Sequence, residues 1–290
     1  QPVSVLIEGE SGTGQALVAR RIHLLSPRRS SSFVALNCAA IPEGLFESEL
    51  FGHTRGSFTG AVSERKGLFE EADSGTLFLD EVDSVPKESQ GKLLRAIEMG
   101  EIRAIGSDKP RFVDTRIITA TKMNLFSLVQ SGQFREDLYY RLNVVRIQIP
   151  PLRERREDIP QLAYYFLKIY SQKLGKNVTK ISDSFMKSLI GRRWEGNVRE
   201  LENLIAREVA LSDSDILGES YSETSLPEET EGSGNITYKQ AREEFDRNYI
   251  RSVLARTGWN ISKAAKLAGM KRQSLQYIMK KYRIHRDENI

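Results

Sequence analysis

The fold of this chain is decided by the stretch Val3-Ser4-Val5-Leu6-Ile7-Glu8-Gly9-Glu10-Ser11-Gly12-Thr13-Gly14-Gln15-Ala16. It places a short apolar run directly before a glycine-rich turn, and a helical pattern over Leu17–Leu25 follows. Glycines let backbone N–H groups face a phosphate, and the positive end of a helix dipole adds to the attraction. The stretch therefore predicts a strand, a phosphate-binding turn and a helix.

This turn departs from the Walker A pattern G-x-x-x-x-G-K-S/T at the last two positions. Gln15 stands where the lysine is expected, and Ala16 stands where a hydroxyl usually binds magnesium. Gln15 keeps two N–H donors but has no charge, and a neutral hydrogen bond has roughly half the strength of a charge-assisted one. The candidate phosphate-contacting residues are Gly9, Glu10, Ser11, Gly12, Thr13, Gly14, Gln15 and Ala16.

Short apolar runs alternate with helical patterns as far as about residue 150. The runs are Val3–Ile7, Phe33–Leu36, Thr76–Leu79, Arg116–Thr119 and Val144–Ile149. Runs of this length between helices predict buried parallel strands in an α/β domain. From 151 to 212 the pattern is only helical. It predicts three helices, one opening at Ile159-Pro160, one through Phe185 and Leu189, and one over Val198–Val209.

Charge divides the rest of the chain. Residues 213–236 contain seven acidic residues and no Lys or Arg, and their polar composition predicts a flexible linker. Residues 237–290 contain thirteen Lys and Arg against five Asp and Glu, which indicates a small module that binds a polyanion. The expected units are therefore 1–150, 151–212, 213–236 and 237–290.

Composition excludes several classes of protein. Of 290 residues 39% are hydrophobic, and no run approaches the roughly 20 apolar residues that span a bilayer, so we expect no membrane partner. A single cysteine, Cys38, and the lack of an export leader predict a cytoplasmic protein. The start at Gln1, without Met, predicts a fragment that lacks an upstream region. A metal-dependent or nucleophilic hydrolase is disfavoured, because the three histidines have no ligand spacing and Cys38 falls on an expected buried strand.

A second predicted strand ends in two acids. Thr76–Leu79 is followed by Asp80 and Glu81, which is the form of a Walker B element. In this interpretation Asp80 holds Mg²⁺ through its water shell and Glu81 orients the attacking water. The alternative is that the two acids only cap the N-terminus of a helix.

Over nearly its whole length the chain resembles the AAA+ activators of sigma-54 RNA polymerase, the bacterial enhancer-binding proteins. The most specific stretch is Glu47–His53 followed by Gly56-Ser57-Phe58-Thr59-Gly60-Ala61, which matches the family's GAFTGA loop with Ser57 in place of the first alanine. The resemblance implies that Phe58 and Thr59 touch the sigma factor from an exposed tip inserted in a helix; a plain surface turn is the alternative. It also implies an α/β AAA+ P-loop core, a helical lid and a C-terminal all-α helix-turn-helix domain.

The resemblance extends to the nucleotide site. It implies that Asn37 is a switch residue that holds Glu81 until nucleotide is sensed, and that Arg199 is the sensor arginine of the lid. It further implies that Arg135 and Arg141 reach the phosphates of a neighbouring subunit, which requires a ring, a hexamer by analogy. Without the family, both would be solvated charges on a helix. The implied cofactors are ATP and Mg²⁺, and the implied partners are the sigma-54 RNA polymerase holoenzyme, double-stranded DNA and further copies of the chain.

Three departures from the family fall on the expected nucleotide pocket. Gln15 replaces the lysine, Ala16 stands where an acidic residue is usual, and Lys122 follows Thr121 where the first sensor is usually Asn. We therefore include Thr121 and Lys122 among the candidate nucleotide contacts. Three hypotheses stay open: a natural pseudo-ATPase that binds nucleotide weakly, an engineered substitution at Gln15, or a replacement cation supplied by Lys122. The competing prediction is that Lys122 points to solvent.

Residues 237–290 resemble a Fis-type helix-turn-helix. Asn260 predicts the N-cap of a helix over Ile261–Leu267, and a turn precedes a recognition helix over Lys271–Tyr282. The candidate base contacts are Lys271, Arg272, Gln273 and Gln276, and the candidate phosphate contacts are Lys263, Lys280 and Lys281. The helix expected over Tyr238–Arg256 is assigned to dimerisation. A basic helical domain that binds a protein partner is the alternative.

Two functions therefore remain open. In the first, ATP hydrolysis in a ring drives the Phe58–Thr59 loops against sigma-54. In the second, a DNA-bound regulator keeps the ring fold but binds nucleotide weakly or without turnover.

Overall fold

The structure is a computed structural model that describes residues 3–58, 61, 63–219, 250, 254, 257, 259–267, 270, 272, 275–276, 279 and 284. The chain divides into two compact units, Gln1–Ser225 and Leu226–Ile290. Among the described residues, no helix combines the length and the apolar content that crossing a membrane requires.

The first unit contains eleven described strands and nine described α-helices. The strands are β1 (Val5–Glu8), β2 (Phe33–Asn37), β3 (Gly52–His53), β4 (Arg65–Lys66), β5 (Thr76–Asp80), β6 (Glu101–Ile102), β7 (Arg111–Phe112), β8 (Arg116–Thr121), β9 (Val145–Gln148), β10 (Lys180–Ile181) and β11 (Ile216–Leu217). The helices are α1 (Gln15–Leu24), α2 (Glu43–Phe51), α3 (Leu68–Glu71), α4 (Lys87–Met99), α5 (Leu125–Gln130), α6 (Glu136–Leu142), α7 (Asp158–Leu174), α8 (Asp183–Gly191) and α9 (Asn197–Leu211).

Five strands form the predicted parallel sheet, in the order β2-β5-β8-β1-β9, and every neighbouring pair is parallel. Successive side chains of a strand face opposite sides of a sheet. Accordingly, Leu6 belongs to a buried cluster that includes residues of α2, α4 and α6, whereas Val5 and Ile7 belong to a second cluster that includes Ala19 of α1. Burial on both faces explains the continuous apolar runs of β1, β5 and β8. The prediction of buried strands is wrong for the edge strands β2 and β9, whose residues are half-buried or exposed.

The strand order places the glycine-rich turn at a switch point of the sheet. The chain passes from β1 to β2 on one side of β1, while β9, which follows β8, lies on the other side. Open parallel sheets bind ligands at the carboxyl ends of strands where the order reverses in this way. The turn after β1 lies at that position.

The helical unit predicted for 151–212 consists of α7, α8 and α9 around a separate apolar cluster. Trp194 lies within that cluster with 1% of its surface exposed, and its indole N–H donates to the Leu189 carbonyl at 2.7 Å. The three helices predicted from the apolar spacing are confirmed. The flexible linker predicted from residue 213 is wrong at its start, because β11 pairs with β10 and Leu217 is buried in the same apolar cluster.

The Phe58 loop is not inserted in one continuous helix, contrary to the expectation. Helix α2 ends at Phe51, and Phe58 lies between the two strands of the antiparallel ribbon formed by β3 and β4. Gly52 has φ 81°, and a Cβ there would lie 2.6 Å from the Arg65 carbonyl oxygen, so only glycine permits this ribbon to follow the helix. Cys38 lies in a short 3₁₀-helix directly after β2, although it is buried as expected.

In the second unit the described residues include the helix Ile261–Leu267. The Asn260 side chain accepts a hydrogen bond from the Lys263 N–H at 3.1 Å, which confirms the predicted N-cap. Ala264, Ala265 and Leu275 are buried. The side chains of Leu267 and Ile278, and the full extents of the helices predicted over 238–256 and 271–282, lie outside the described residues.

Candidate nucleotide site

The turn between β1 and α1 is shaped to receive an anion. Gly12 and Gly14 have φ values of 80° and 103°, a region that glycine alone adopts without strain. Helix α1 begins at Gln15 without a side-chain cap and has no acidic residue in its first turn. Its N–H groups and its positive dipole end are therefore available to a negatively charged ligand.

A cavity of about 250 Å³ lies over this turn. Its lining residues are Ser11, Gly12, Gly14, Gln15, Ala16, Leu17, Asn37, Asp80, Glu81, Lys122, Val198, Arg199 and Glu202. Ten of these were predicted as site residues from the sequence, and they come from the ends of β1, β2, β5 and β8 and from the start of α9. Five stretches that are distant in sequence thus meet at one site.

The Gln15 side chain is turned toward the end of the sheet. Its Nε2 donates to the carbonyl oxygens of Thr121 at 2.8 Å and Ile7 at 3.3 Å. A carboxamide nitrogen has two N–H groups, so both have an acceptor in the main chain. In this arrangement the Gln15 side chain offers no N–H donor to a phosphate over the turn.

Three residues that were predicted to contact the nucleotide instead hold the backbone of the glycine-rich turn in place. Gly9 donates its N–H to the Thr121 carbonyl at 3.2 Å, and a Cβ at Gly9 would lie 3.0 Å from Thr13 Oγ1. Thr121 is buried, and its hydroxyl donates to Asp83 Oδ1 at 2.6 Å. Gly9, Thr13 and Thr121 lie outside the lining of the cavity and fix the backbone that does line it.

Two carboxylates lie at the end of β5. Burial raises the pKa of the Asp80 carboxyl, and its Oδ1 accepts the Glu81 N–H at 3.0 Å. Glu81 has φ 51°, which is unusual for a residue with a side chain. Glu81 makes no side-chain capping bond to the short helix Val82–Ser84 that follows, so the alternative in which it caps that helix is not observed.

Glu81 is instead held by Lys122 and Asn37. Lys122 Nζ lies 2.6 Å from Glu81 Oε2, and Asn37 Nδ2 donates to Glu81 Oε1 at 3.4 Å. The hydrogen bond from Lys122 lowers the pKa of Glu81, and Glu81 in turn raises the pKa of Lys122. Lys122 lines the cavity while 46% of its side chain remains exposed, so it faces both the site and solvent.

The helical unit over 151–212, the predicted lid, contacts the glycine-rich turn over 9–16, here called the phosphate turn. The N–H groups of Val198 and Arg199, at the start of α9, donate to the Gly12 carbonyl at 3.0 and 3.3 Å. Arg199 Nη1 donates to Ser11 Oγ at 3.2 Å. A Cβ at Gly12 would lie 2.4 Å from the Gly196 carbonyl oxygen, so this close approach requires glycine. The start of α9 is therefore held directly against the glycine-rich turn.

Glu10 faces the lid rather than the cavity. Its carboxylate accepts hydrogen bonds from both Arg153 Nη atoms at 2.8 and 2.6 Å, and from Asn197 Nδ2 at 3.2 Å. The Arg153 hydrogen bonds lower the pKa of Glu10 to about 2. Arg155 adds a bond to the Thr13 carbonyl at 3.0 Å. The Glu10 side chain therefore forms a core–lid ion pair, and the predicted contact with the nucleotide is not observed for this carboxylate.

Sequence reasoning missed Asn197, Arg153 and Arg155 as residues of this contact. Asn197 is fully buried, has φ 54°, and bonds both the Leu152 N–H at 2.8 Å and the Ser11 carbonyl at 3.0 Å. A usable signal was present, because asparagine after glycine is typical of a left-handed turn. The two arginines carried no signal of their own, since their partners are distant in sequence.

The two candidate arginine fingers lie on another part of the surface. Arg135 precedes α6, is exposed, and pairs with the Asp137 carboxylate at 3.0 and 2.7 Å. Arg141 is half-buried near the end of the same helix. Neither belongs to the residues that line the cavity of their own chain.

The predicted sigma-factor tip is at the surface. Phe58 has 37% of its surface exposed, and its ring lies edge-on to His53 at 5.1 Å between centroids. Ser57 Oγ donates to the Thr54 carbonyl at 2.8 Å, which fixes the start of the tip. Thr59 lies outside the described residues.

The predicted DNA contacts are described only in part. Lys263, Arg272 and Gln276 are exposed, whereas Ala264 and Leu275 beside them are buried. The described candidate DNA contacts are therefore accessible at the surface of this unit. Lys271, Gln273, Lys280 and Lys281 lie outside the described residues.

A phosphate turn after a central parallel strand, two acids at the end of a nearby strand and a helical lid over the turn define the AAA+ class. Residues 1–148 match the family model of the Sigma-54 interaction domain, residues 153–241 that of the AAA+ ATPase lid domain, and residues 241–282 that of the Bacterial regulatory protein, Fis family. The chain belongs to the sigma-54 interaction domain family of transcription regulators.

Similar proteins agree with this assignment. The chain is 45% identical over 282 residues to the transcriptional regulatory protein GlrR of Escherichia coli, covering 97% of the chain and 63% of that protein. It is 46% identical over 286 residues to the Nif-specific regulatory protein of Azotobacter vinelandii, covering 97% and 55% respectively. The crystal structure of NtrX from Brucella abortus in complex with ATP superposes with a TM-score of 0.67 at 35% identity, covering 97% of the chain and 64% of NtrX. The chain thus spans only about three-fifths of these proteins.

Proposed function

We propose that this chain binds ATP with Mg²⁺ between core and lid, assembles into a ring, and remodels promoter complexes of the sigma-54 RNA polymerase holoenzyme while bound to double-stranded DNA. The observation that carries the proposal is the convergence of the phosphate turn with Asn37, Asp80, Glu81 and Arg199 on one cavity. Family membership and the ATP complex of NtrX support the choice of nucleotide. This work would take place in the cytoplasm, where the polymerase is found.

The residues present fit ATP and Mg²⁺ in most respects. The uncapped start of α1 suits phosphate oxygens, and Arg199 from the lid supplies a cation. Asp80 would hold Mg²⁺ through water, with phosphates as the other ligands, which is the usual arrangement for this metal. Within the described residues no cluster of three or more His, Cys, Asp or Glu could hold a metal, so Mg²⁺ would bind together with the nucleotide. The metal would neutralise charge on the phosphates.

The chain's own groups would divide the chemistry between two subunits. Glu81 would orient the attacking water. Asn37 and Lys122 would hold the Glu81 carboxylate as long as no nucleotide is bound. Arg135 and Arg141, which are outside the cavity of their own chain, would reach the phosphates of the neighbouring subunit and stabilise developing charge. With this division of roles, turnover would require assembly into a ring.

The tip around Phe58 and Thr59 would transmit the movement to sigma-54. Phe58 is exposed on a two-stranded ribbon rather than packed in the core. An exposed aromatic residue is a common anchor of protein interfaces. DNA binding is assigned to the second unit, in which Lys263, Arg272 and Gln276 are exposed.

A second candidate function is supported by the departures in the pocket. The Gln15 side chain donates both of its N–H groups to main-chain carbonyls, and Ala16 has no hydroxyl for Mg²⁺. Lys122 forms an ion pair with Glu81, the carboxylate proposed to orient water. These observations favour a DNA-bound regulator that binds nucleotide weakly and turns it over slowly or not at all.

Steady-state ATPase assays on the parent chain and on Gln15→Lys separate the two functions. Robust hydrolysis by the parent supports the active mechanoenzyme, and hydrolysis that appears only with lysine supports the deficient regulator. Ring assembly is measured on the same samples by light scattering with and without ATP. If neither protein hydrolyses or binds ATP, the proposed function is contradicted.

A further inference from the structure

Lys122 occupies a distinctive place between the phosphate turn and the acidic pair. Strand β8 lies between β1, which leads into the turn, and β5, which ends at Asp80. Thr121, the last residue of β8, pairs in register with Glu8 of β1. Lys122 is the next residue, so its side chain starts between the two halves of the site and lines their common cavity.

The cavity is lined by more acidic than basic side chains, so a bound triphosphate would need the positive charge of Lys122. Among the described lining residues the cations are Lys122 and Arg199, against the carboxylates of Asp80, Glu81 and Glu202. A triphosphate brings several further negative charges, and the P-loop lysine that usually meets them is absent at Gln15. Attraction for the phosphates must therefore come from the remaining cations, the helix end and the metal.

We propose that Lys122 is the phosphate-binding cation of this chain, and that the terminal phosphate of ATP draws its ammonium away from Glu81 and thereby frees that carboxylate. The inference rests on the proposed binding of ATP at this site. One ion pair is thus exchanged for another. The same group would signal the presence of a terminal phosphate and release the residue that orients water.

The exchange is energetically reasonable because the existing pair is weak. The side chains of Lys122 and Glu81 are 46% and 28% exposed, and ion pairs in such surroundings are readily broken. Glu81 keeps a partner after the exchange, since Asn37 Nδ2 already lies 3.4 Å from its other oxygen. No burial of an unpaired charge accompanies the step.

The test is the affinity for ATP and for ADP, measured by calorimetry with Mg²⁺ on the whole chain. Lys122→Ala should weaken ATP binding by about ten- to a hundredfold, the value of a charged hydrogen bond, and ADP binding by much less. Lys92→Ala is the matched control, because Lys92 also lies 2.6 Å from a glutamate, Glu47, but lies outside the cavity. It should change neither affinity.

A double-mutant cycle separates a direct role from a structural one. Glu81→Gln removes the competitor for Lys122, so it should strengthen ATP binding in the parent and have little effect in Lys122→Ala. Gln15→Lys should restore ATP affinity to Lys122→Ala. Equal losses for ATP and ADP, or no loss, would overturn the inference and leave the proposed function intact. If no variant binds ATP, including Gln15→Lys, both are overturned.

Discussion

Asn197 connects the lid to the phosphate turn, and its replacement by alanine should destabilise the first unit strongly. Its side chain is the partner of the Leu152 N–H and of the Ser11 carbonyl. Asn197 and Leu152 are fully buried. A polar group left without a partner in such a place costs about 1–3 kcal/mol.

The backbone adds a second contribution. Asn197 has φ 54°, and alanine in the left-handed region costs about 1–2 kcal/mol. The sum predicts that Asn197→Ala lowers the free energy of unfolding by about 2–5 kcal/mol. Asn197→Gly loses the same hydrogen bonds but tolerates the backbone conformation, so it should lose about 1 kcal/mol less.

The assay is urea unfolding followed by tryptophan fluorescence. Trp194 lies in the lid cluster with 1% exposure, and Trp259 is the second tryptophan of the chain, so a Trp259→Phe background isolates the lid signal. Asn143→Ala is a matched control, because Asn143 is half-buried and donates one hydrogen bond, to the Tyr139 hydroxyl at 2.8 Å. It should cost about 1 kcal/mol. A loss for Asn197→Ala no larger than that of the control would refute the reasoning.

Three further predictions concern the ion pair, the tip and the DNA-binding unit. The pKa of Glu10 is lowered from 4.5 to about 2, so the stability that its ion pair adds to the folded state is present above pH 4.5 and is lost as pH falls toward 2. Between about pH 5 and pH 3 the urea midpoint of Glu10→Gln should therefore fall less than that of the parent. An equal fall would contradict the assignment. Phe58→Ala should weaken binding to sigma-54 by about tenfold or more in pull-down titrations without changing ATP affinity, whereas Phe126→Ala, of similar exposure at 42%, should change neither. Lys263→Ala should lower the salt dependence of DNA affinity by about one phosphate contact, whereas Arg272→Ala should relax the preference for particular bases. Both are measured by anisotropy titrations on duplexes selected from a random pool. Identical behaviour of the two variants would contradict their separate roles.

Much of the core could be predicted because strong local signals agree. The five apolar runs mark the five strands of the sheet, and Gly12 and Gly14 mark the turn by the backbone conformation that they permit. The two acids at the end of β5 and the N-cap at Asn260 could also be predicted, since each depends on residues adjacent in sequence.

The unpredicted features depend on contacts between distant residues. Glu10 lies in the glycine-rich turn, yet its partner Arg153 is far along the chain, so the sequence could not reveal that its carboxylate turns to the lid. The orientation of Gln15 toward the sheet carbonyls and the pairing of Lys122 with Glu81 are likewise tertiary. The ribbon that carries Phe58 was missed because its strands are only two residues long.

The most direct test of the account is the binding of ATP to this chain, since every role assigned to the cavity presupposes it. Calorimetric titration of Mg-ATP should give saturable binding of one nucleotide per chain, about ten- to a hundredfold weaker than binding to Gln15→Lys, in which a phosphate cation is restored. An absence of saturable binding to both proteins at millimolar ATP would contradict the central claim.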